Sequence, residues 1–448
     1  MRLGGLGIIC IPIAIRALFK PKNNILWVVF FSAFCASSVI SFSTFNLQPG
    51  HFFLIIMVIS LMLCMHTNRE CLIVKKPNCF LTLFIIVALV SIIVAVVFNI
   101  DEMVIGIGNN NQLKSSKVST QNFTQYLYLL FGFVFYWLTY NFCIKKPEQW
   151  IQVVRIFGIS GCVVLTIGIY QLIANYFNLP FDSIFRNDVN RMWQTKLRVQ
   201  ATMNEASFFG QYCVYLLVIY LNFPLTKKKI INILLVIFAT IMGILSTSST
   251  FFLGAIIVFI TQLFLIKKTR KFIQKIFIST CVAMISSIYL YRTNRYIQIL
   301  FNRTINKLML SDRSGIERSY IFKHMISVGL KYPILGIGYG GGRSTDLYAN
   351  LLSNVGFVGC IIFFAFVIQA LIILFKQRIT VEARMCLALL VTFFITSCSI
   401  PDLTYLPIWC LFALIDSQCY FLKRNIYVIQ RNKNSEKKDC FLKERKNV

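Results

Sequence analysis

The sequence predicts an all-α, polytopic membrane protein, a bundle of about 12 transmembrane helices with two long extracytoplasmic loops. Three observations predict this fold class. Hydrophobic residues make up 57% of the 448 residues, and the mean hydropathy is +0.71. Apolar runs long enough to cross a hydrocarbon core of ~30 Å recur along the chain. Lys and Arg cluster beside the ends of these runs, where they set the orientation of membrane spans.

Each predicted span is an apolar run that ends at charged, Pro or Gly residues. The spans are Ile25–Phe45, His51–Met65, Cys79–Phe98, Phe123–Cys143, Ile151–Phe177, Ala206–Phe223, Ile230–Leu245, Thr250–Ile266, Lys275–Tyr291, Leu352–Phe375, Ala383–Ile400 and Leu403–Phe421.

Short connections that are rich in Lys and Arg are predicted to face the cytoplasm. They alternate along the chain with connections that are uncharged or long. The two longest of these, residues 178–205 and 292–351, are therefore predicted to lie outside, with both termini in the cytoplasm.

The chain divides into an N-terminal segment (residues 1–24), a single transmembrane region (25–421) and a basic cytoplasmic tail (422–448). In the first segment, Pro12 and Arg16 interrupt the apolar run Leu3–Phe19, and no small-residue cleavage site follows it. An interfacial helix is predicted there, with an extra span as the alternative. The tail has the composition that binds anionic lipid, so membrane lipid is a predicted partner.

The net charge of +29 does not indicate a nucleic-acid partner, because the basic residues flank membrane spans instead of forming one face of a soluble domain. None of the 15 Cys lies in the two long loops, and no metal-ligand spacing is present. The cysteines are interpreted as small apolar residues. No metal site, disulfide or cofactor is predicted.

Both long outer loops contain clusters of charged residues. The first contains Arg186, Arg191, Lys196 and Arg198 against Asp182, Asp188 and Glu205. The second begins with a predicted amphipathic helix, residues 292–310, whose basic face could contact either lipid headgroups or a substrate.

A second predicted helix in this loop, Ile316–Lys331, ends before Pro333. A turn rich in glycine follows, with Gly336, Gly338 and Gly340, and its amides could approach an anion closely. A P-loop or Rossmann interpretation is excluded because no strand and helix frame this turn.

Three stretches carry a family resemblance. Residues 198–212, RVQATMNEASFFGQY, contain an Arg, a short turn and an acidic residue that opens a span. Residues 245–259, LSTSSTFFLGAIIVF, contain a Ser/Thr-rich turn that begins a helix. Residues 317–340, ERSYIFKHMISVGLKYPILGIGYG, and 347–359, LYANLLSNVGFVG, contain an Arg, a helix, Pro, Gly-x-Gly and a closing Gly-x-x-Gly. The chain thus resembles the O-antigen and capsule repeat-unit polymerases (Wzy type), within the wider O-antigen ligase-like group.

The sequence departs from the family pattern at several positions. Ala206 stands where Pro is usual, and Asn354 stands where an acidic residue is common. Thr345 and Asp346 occupy the positions at which O-antigen ligases carry a His-Asn type pair. This last departure favours a polymerase over a ligase.

The resemblance implies transfer of a glycan from undecaprenyl diphosphate to another lipid-linked oligosaccharide, at the outer face of the bacterial cytoplasmic membrane. It also implies a chain-length regulator and a flippase of the same pathway as partners. Guanidinium groups would stabilise the charge that develops on the departing diphosphate. The candidates are Arg198, Arg318 and Arg343, followed by Arg191 and Arg313.

A carboxylate near the acceptor hydroxyl would take its proton. Glu205 is the first candidate for this base and Asp346 the second, while ion pairing with nearby arginines is the alternative for both. His324 is interpreted as a packing or solvent-facing residue. Tyr339 and Tyr348 are interpreted as interfacial aromatic residues, with stacking on a sugar as the alternative. Asp416, inside the last span, is expected to face the bundle.

Two other functions stay open. A ligase-type glycan transferase would use the same kind of outer site. A flippase or other transporter usually places charge at mid-membrane and carries repeated halves, whereas here the charge lies in the outer loops and no internal repeat is apparent.

Overall fold

The structure is a computed structural model of the 448-residue chain. It describes residues 2–18, 21–41, 46–66, 75–106, 113–185, 198–265, 292–293, 298, 313–377 and 380–424. Helices dominate these residues. They are α1 (Gly7–Leu18), α2 (Pro21–Phe31), α3 (Pro49–His66), α4 (Cys79–Val97), α5 (Thr120–Lys145), α6 (Pro147–Phe177), α7 (Asp182–Phe185), α8 (Ala206–Asn222), α9 (Lys229–Leu245), α10 (Ser249–Leu265), α11 (Arg313–Lys331), α12 (Leu347–Lys376), α13 (Val381–Thr396) and a last helix, α14, over residues 406–424.

Two small antiparallel sheets accompany the helices, so the chain is mostly helical and not strictly all-α. The first sheet pairs β1 (Arg2–Leu3) with β2 (Ile40–Ser41), and β2 with β3 (Asn46–Leu47). The second is a hairpin of β4 (Met103–Ile105) and β5 (Leu113–Ser115).

Four helices in the described ranges are long and apolar enough to cross a membrane, namely α4, α5, α6 and α12. Five more apolar helices are shorter. The chain is therefore a multi-pass membrane protein, although this set is smaller than the twelve spans that the sequence predicts. The predicted span Lys275–Tyr291 lies outside the described residues, as does nearly all of the predicted amphipathic helix 292–310.

The predicted span Ile25–Phe45 is wrong in its second half. Helix α2 ends at Phe31, and the backbone that follows hydrogen-bonds to a distant loop instead of continuing the helix. The amide of Ala36 donates to the carbonyl of Thr202 at 2.8 Å, and the Thr202 hydroxyl donates to the carbonyl of Ala33 at 2.8 Å. Small Ala and Ser residues in this segment permit the close approach of the two backbones.

Helix α12 contains a break at Gly356, whose φ of 64° is in the left-handed region. Groups that the break releases from the helix bond to Pro333 and to the glycine turn that follows it. The Phe357 amide donates to the carbonyl of Pro333 at 2.7 Å, and the Ile337 amide donates to the carbonyl of Ser353 at 2.9 Å. A Cβ on Gly356 would lie 2.3 Å from the carbonyl oxygen of Ile334, so glycine is required.

Helix α8 occupies the interior of the bundle, because every residue from Ala206 to Tyr220 is buried. It packs against α6, α9, α10 and α13. Glu205 is the residue at its N-terminal cap. The central helix thus carries a candidate catalytic carboxylate to one end of the bundle.

Several connections meet at this end, which we call the loop end. The amide of Arg343 donates to the carbonyl of Ile105 at 3.0 Å, and the amide of Leu347 donates to the carbonyl of Ser397 at 2.9 Å. Ile105, Arg343 and Leu347 belong to connections that the sequence predicts to face outside, and Ser397 lies near the adjoining end of the predicted span Ala383–Ile400. Their common location fits the alternating orientation, and the side of the membrane that they face stays a prediction.

Candidate functional site

Arg198 begins a buried loop, residues 198–205, which hydrogen bonds hold firmly in place. Its Nε donates to the carbonyl of Ser246 at 3.2 Å. The next amide, of Val199, donates to the carbonyl of Leu245 at 3.2 Å. The side-chain oxygen of Gln171 accepts from the amides of the two residues that follow, at 3.0 and 2.9 Å. The guanidinium is therefore attached to a fixed backbone and not to a loose surface loop.

Arg318 projects from α11 toward the connection between α13 and α14. Its Nη1 donates to the hydroxyl of Ser399 at 3.4 Å. The Ser399 hydroxyl also contacts the hydroxyl of Thr250, at the start of α10, at 2.9 Å. The Ser399 hydroxyl, which Thr250 holds in place, therefore orients this arginine.

Arg343 lies in the segment between the glycine turn and α12 and forms an ion pair with Asp402. Its Nη2 lies 2.7 Å from Oδ2 of Asp402, and the side chains of Arg343 and Asp402 are 28% and 24% exposed. Asp402 is not among the residues that the sequence predicts to form the site. Its one available signal was its position as the acidic residue between the last two predicted spans.

Electrostatic interactions join these residues into one group. Burial lowers the pKa of Arg198, the nearby Arg318 lowers it further, and Glu205 opposes the shift. Asp402 raises the pKa of Arg343 against the effect of burial, and Glu205 raises it as well. We call the five residues Arg198, Glu205, Arg318, Arg343 and Asp402 the charge cluster.

Glu205 is the member of the charge cluster that interacts with both halves of it. Besides acting on Arg198 and Arg343, its charge adds to the effect of burial in raising the pKa of Asp402, which Arg343 opposes. Its carboxylate also accepts a hydrogen bond from the Ser207 hydroxyl at 3.3 Å. Glu205 therefore acts on two of the three arginines, Arg198 and Arg343, and Arg318 acts on Arg198.

Asp346, the second candidate base, has a structural role in the observed geometry. It caps the N-terminus of α12, where one oxygen accepts from the amide of Ala349 at 2.8 Å and the other from the Ser344 hydroxyl at 2.8 Å. The residue is only 3% exposed, and burial raises its pKa while these hydrogen bonds oppose the shift. Both oxygens are therefore occupied by the fold.

The described part of the structure does not place two further candidates, Arg191 and Arg313, in the charge cluster. Arg191 lies outside those residues. Arg313 is the first residue of α11, and its side chain lies outside the description. Their proposed contact with a diphosphate stays a prediction.

The glycine turn is buried and packs against neighbouring helices. Gly336, Gly338 and Gly340 have φ values of 66°, 93° and 79°. The amide of Gly336 donates to the carbonyl of Tyr332 at 3.0 Å, and the amide of Gly342 donates to the side-chain oxygen of Asn354 at 3.2 Å. These two amides donate hydrogen bonds within the fold. For them, the expected binding of an anion by exposed amides is therefore not observed.

Three other residues can now be located. Tyr339 is 7% exposed and its amide donates to the Ser91 hydroxyl at 3.0 Å, so the interpretation as an interfacial residue is wrong. His324 hydrogen-bonds through Nε2 to the carbonyl of Met103 at 2.8 Å, which attaches α11 to the β4–β5 hairpin. Asp416 accepts a hydrogen bond from the Tyr136 hydroxyl at 2.6 Å, so it faces the bundle as expected.

A small cleft that is open to solvent lies beside the Arg343–Asp402 pair. Helix α5, the glycine turn, α12 and the connection before α14 form its walls. The polar side chains that line it are Gln125, Arg343, Asn350, Asn354, Asp402 and Thr404. The cleft is thus continuous with one side of the charge cluster.

Residues 234–358 match the family model described as O-antigen ligase. The matched segment contains Arg318, the glycine turn, Arg343 and the break in α12, while Arg198, Glu205 and Asp402 lie outside it. The match supports a place in the O-antigen ligase-like group and a role in processing glycans at a membrane. It does not separate polymerases from ligases. No curated protein and no solved structure matches the chain.

Proposed function

We propose that this protein polymerises undecaprenyl diphosphate-linked oligosaccharide repeat units at the outer face of the bacterial cytoplasmic membrane. One observation carries the proposal. Three arginines from different parts of the chain, Arg198, Arg318 and Arg343, gather near one carboxylate at the loop end of a membrane-spanning bundle: Glu205 acts on Arg198 and Arg343, and Arg318 acts on Arg198. The family match over residues 234–358 supports a lipid-linked glycan as the substrate.

The arginines provide the positive charge that stabilises a departing diphosphate. As the bond between the anomeric carbon and the diphosphate oxygen breaks, its electron pair leaves with undecaprenyl diphosphate. Guanidinium groups that are already fixed in place stabilise this developing charge at little reorganisation cost. Arg198 and Arg318 fit this role because the first is held by Ser246 and the second by Ser399.

Glu205 fits the role of general base. The acceptor hydroxyl forms the new bond to the anomeric carbon, and its proton passes to the carboxylate. Asp346 is not used in this proposal, because both of its oxygens accept hydrogen bonds that cap α12.

The competing function is a ligase-type transfer, in which the glycan passes to a different acceptor lipid. The description of the matched family favours it. Against it, Asp346 caps a helix and Thr345 donates to the carbonyl of Arg318 at 3.4 Å, so neither side chain acts as the base that a His-Asn pair would provide.

A deletion strain separates these functions. Loss of a polymerase leaves surface glycan made of single repeat units, whereas loss of a ligase leaves no attached glycan and loss of a flippase leaves units accumulating inside. The proposal expects single units, restored to long chains by the wild-type gene and not by Glu205→Gln. A strain without any attached glycan would instead identify a ligase.

A further inference from the structure

Two arginines of the charge cluster are attached to the two ends of one short segment, which we call the α9–α10 turn (residues 246–250). At its start, the first carbonyl of the turn accepts a hydrogen bond from Nε of Arg198 at 3.2 Å. At its end, the hydroxyl of Thr250 donates to the hydroxyl of Ser399 at 2.9 Å, and this oxygen also accepts from Nη1 of Arg318 at 3.4 Å. The turn therefore contacts one arginine directly and the other through a single hydroxyl group.

The α9–α10 turn has a fixed conformation. Thr247 has a φ of 48°, in the left-handed region that a β-branched residue seldom adopts. The Ser246 hydroxyl donates to the carbonyl of Gly243 at 2.5 Å and accepts from the amide of Ser248 at 3.3 Å. A strained backbone persists where the surrounding structure determines it, so this turn is a firm support for the side chains that it contacts.

Thr250 lies inside the fold and does not face a substrate. Its side chain is only 1% exposed. Its hydroxyl has one proton to donate, and the Ser399 oxygen, held by that bond, has a second lone pair for Arg318. The backbone of Arg318 is held separately, because the Thr345 hydroxyl donates to its carbonyl at 3.4 Å. Loss of the Thr250 hydroxyl would therefore release the guanidinium without detaching α11.

We infer that Thr250 is a positioning residue, which acts through Ser399 to hold the guanidinium of Arg318 in the orientation that binds the diphosphate of the donor. A group that is already ordered loses less conformational entropy when its ligand binds, so the buried hydroxyl increases the affinity for the donor. This inference rests on the proposed function. It makes recognition of the diphosphate depend on a residue that is not a member of the charge cluster.

The test compares Thr250→Val, which keeps the shape of the side chain without its hydroxyl, with Thr250→Ser, which keeps the hydroxyl. The probe is undecaprenyl diphosphate, titrated into the full-length protein in detergent micelles and followed by native mass spectrometry. Thr250→Val should raise the Kd about 2- to 10-fold, the effect of one lost hydrogen bond, and Thr250→Ser should bind as the wild type does. Undecaprenol, which has the same tail without phosphate, should bind equally to all three proteins.

Thr261→Val is the matched control on the same helix, because the Thr261 hydroxyl donates to the carbonyls of Ile257 and Val258 within α10. It should leave the Kd unchanged. A double-mutant cycle separates positioning from a general effect on the fold. In protein that already carries Arg318→Ala, Thr250→Val should cause no further loss of affinity, whereas a general effect would multiply the two losses.

A wild-type Kd for Thr250→Val, or a multiplied loss in the double variant, would overturn the inference. If Thr250→Val does not fold, Ser399→Ala removes the same link and allows the same comparisons.

Transfer from lipid-linked repeat units, measured on the same proteins, keeps the two proposals distinguishable. A wild type that binds undecaprenyl diphosphate with the expected coupling but transfers no repeat unit would overturn the proposed function and keep the role of Thr250. Transfer by the wild type with multiplied losses in the double variant would overturn the role of Thr250 alone. A wild type that does not bind undecaprenyl diphosphate would overturn both.

Discussion

Arg343 donates a hydrogen bond from Nη2 to Oδ2 of Asp402 at 2.7 Å, joining the connection after α11 to the connection before α14. About a quarter of each side chain is exposed, so solvent screening limits the contribution of this pair to stability to about 1 kcal/mol. Its larger effect is on position. The pair fixes Arg343 at the boundary between the cleft and the other arginines, where Glu205 interacts with both partners.

Replacing Asp402 by Asn should therefore impair activity more than stability. The variant keeps the shape of the side chain but removes the charge that holds Arg343. We expect the transfer rate of the purified protein to fall about tenfold or more, while the thermal unfolding temperature in detergent changes little. Asp182→Asn, at an exposed carboxylate of α7, is the control. A wild-type rate for Asp402→Asn would show that the ion pair does not position Arg343.

The pKa of Asp402 leads us to expect that the free energy of unfolding depends on pH. Burial raises the pKa of Asp402 above its ordinary value, with Arg343 opposing and Glu205 adding to the shift. The folded protein then holds this proton more tightly than the unfolded chain does. The contribution of Asp402 to the free energy of unfolding is fully present below about pH 4 and is lost as the pH rises through the raised pKa.

This dependence is measured by comparing thermal unfolding of the wild type and Asp402→Asn between about pH 4 and pH 7. The wild type should lose stability relative to the variant as the pH rises. A constant difference between the two proteins over this interval would contradict the raised pKa.

The arginines of the charge cluster should differ from other arginines in their sensitivity to substitution. Arg198→Ala, Arg318→Ala and Arg343→Ala are each expected to reduce polymerisation on the order of 10²-fold, and Lys at these sites should restore it only partly because the planar fork is lost. Arg155→Ala, at an exposed position of α6, is the control. Chain lengths of surface glycan at matched protein levels are the measurement. Normal lengths in all three alanine variants would remove diphosphate binding from the role of these residues.

The helices were the part of the fold that the sequence predicted best. The span Cys79–Phe98 is found as Cys79–Val97, and Ala206–Phe223 as Ala206–Asn222. Apolar runs of this length have no alternative to helix in a bilayer, since every backbone group must be bonded within the segment. The same rule failed after Phe31, where backbone groups find partners in the distant loop 198–205.

The site was predictable in its residue types but not in all of its pairings. Arg198, Arg318, Arg343 and Glu205 stood out as charges in a largely apolar chain. The role of Asp402 depends on contact with a residue that is distant in sequence, and no local pattern reports such a contact. Likewise, Asp346 caps a helix because it accepts hydrogen bonds from the Ser344 hydroxyl and the Ala349 amide. Its position before an apolar run is typical of such a cap, but the sequence alone did not separate this role from that of a base.

The orientation of the loop end is a separate prediction, tested by cysteine labelling in a background without native Cys. A cysteine at Tyr320, an exposed residue of α11, should react with an impermeant reagent in intact cells. A cysteine at Lys228, in the short basic connection before α9, should react only after the cells are opened. Labelling of the Lys228 position in intact cells would reverse the predicted orientation and place the charge cluster in the cytoplasm.

The role of Glu205 can be separated from that of the arginines because a base and a cation act at different stages. Glu205→Gln keeps the size of the side chain but removes the proton acceptor, so transfer should fall by about 10²- to 10⁴-fold, while binding of the lipid-linked donor stays close to the wild-type value. Arg318→Ala should weaken donor binding as well, because it removes a contact to the diphosphate. Glu317→Gln, at the exposed position beside Arg318, is a matched control that should leave transfer unchanged. The readouts are donor affinity and the rate of a single turnover with purified protein. Full activity of Glu205→Gln would eliminate Glu205 as the base and, since both oxygens of Asp346 are occupied in capping α12, would direct the search for the proton acceptor to Asp402.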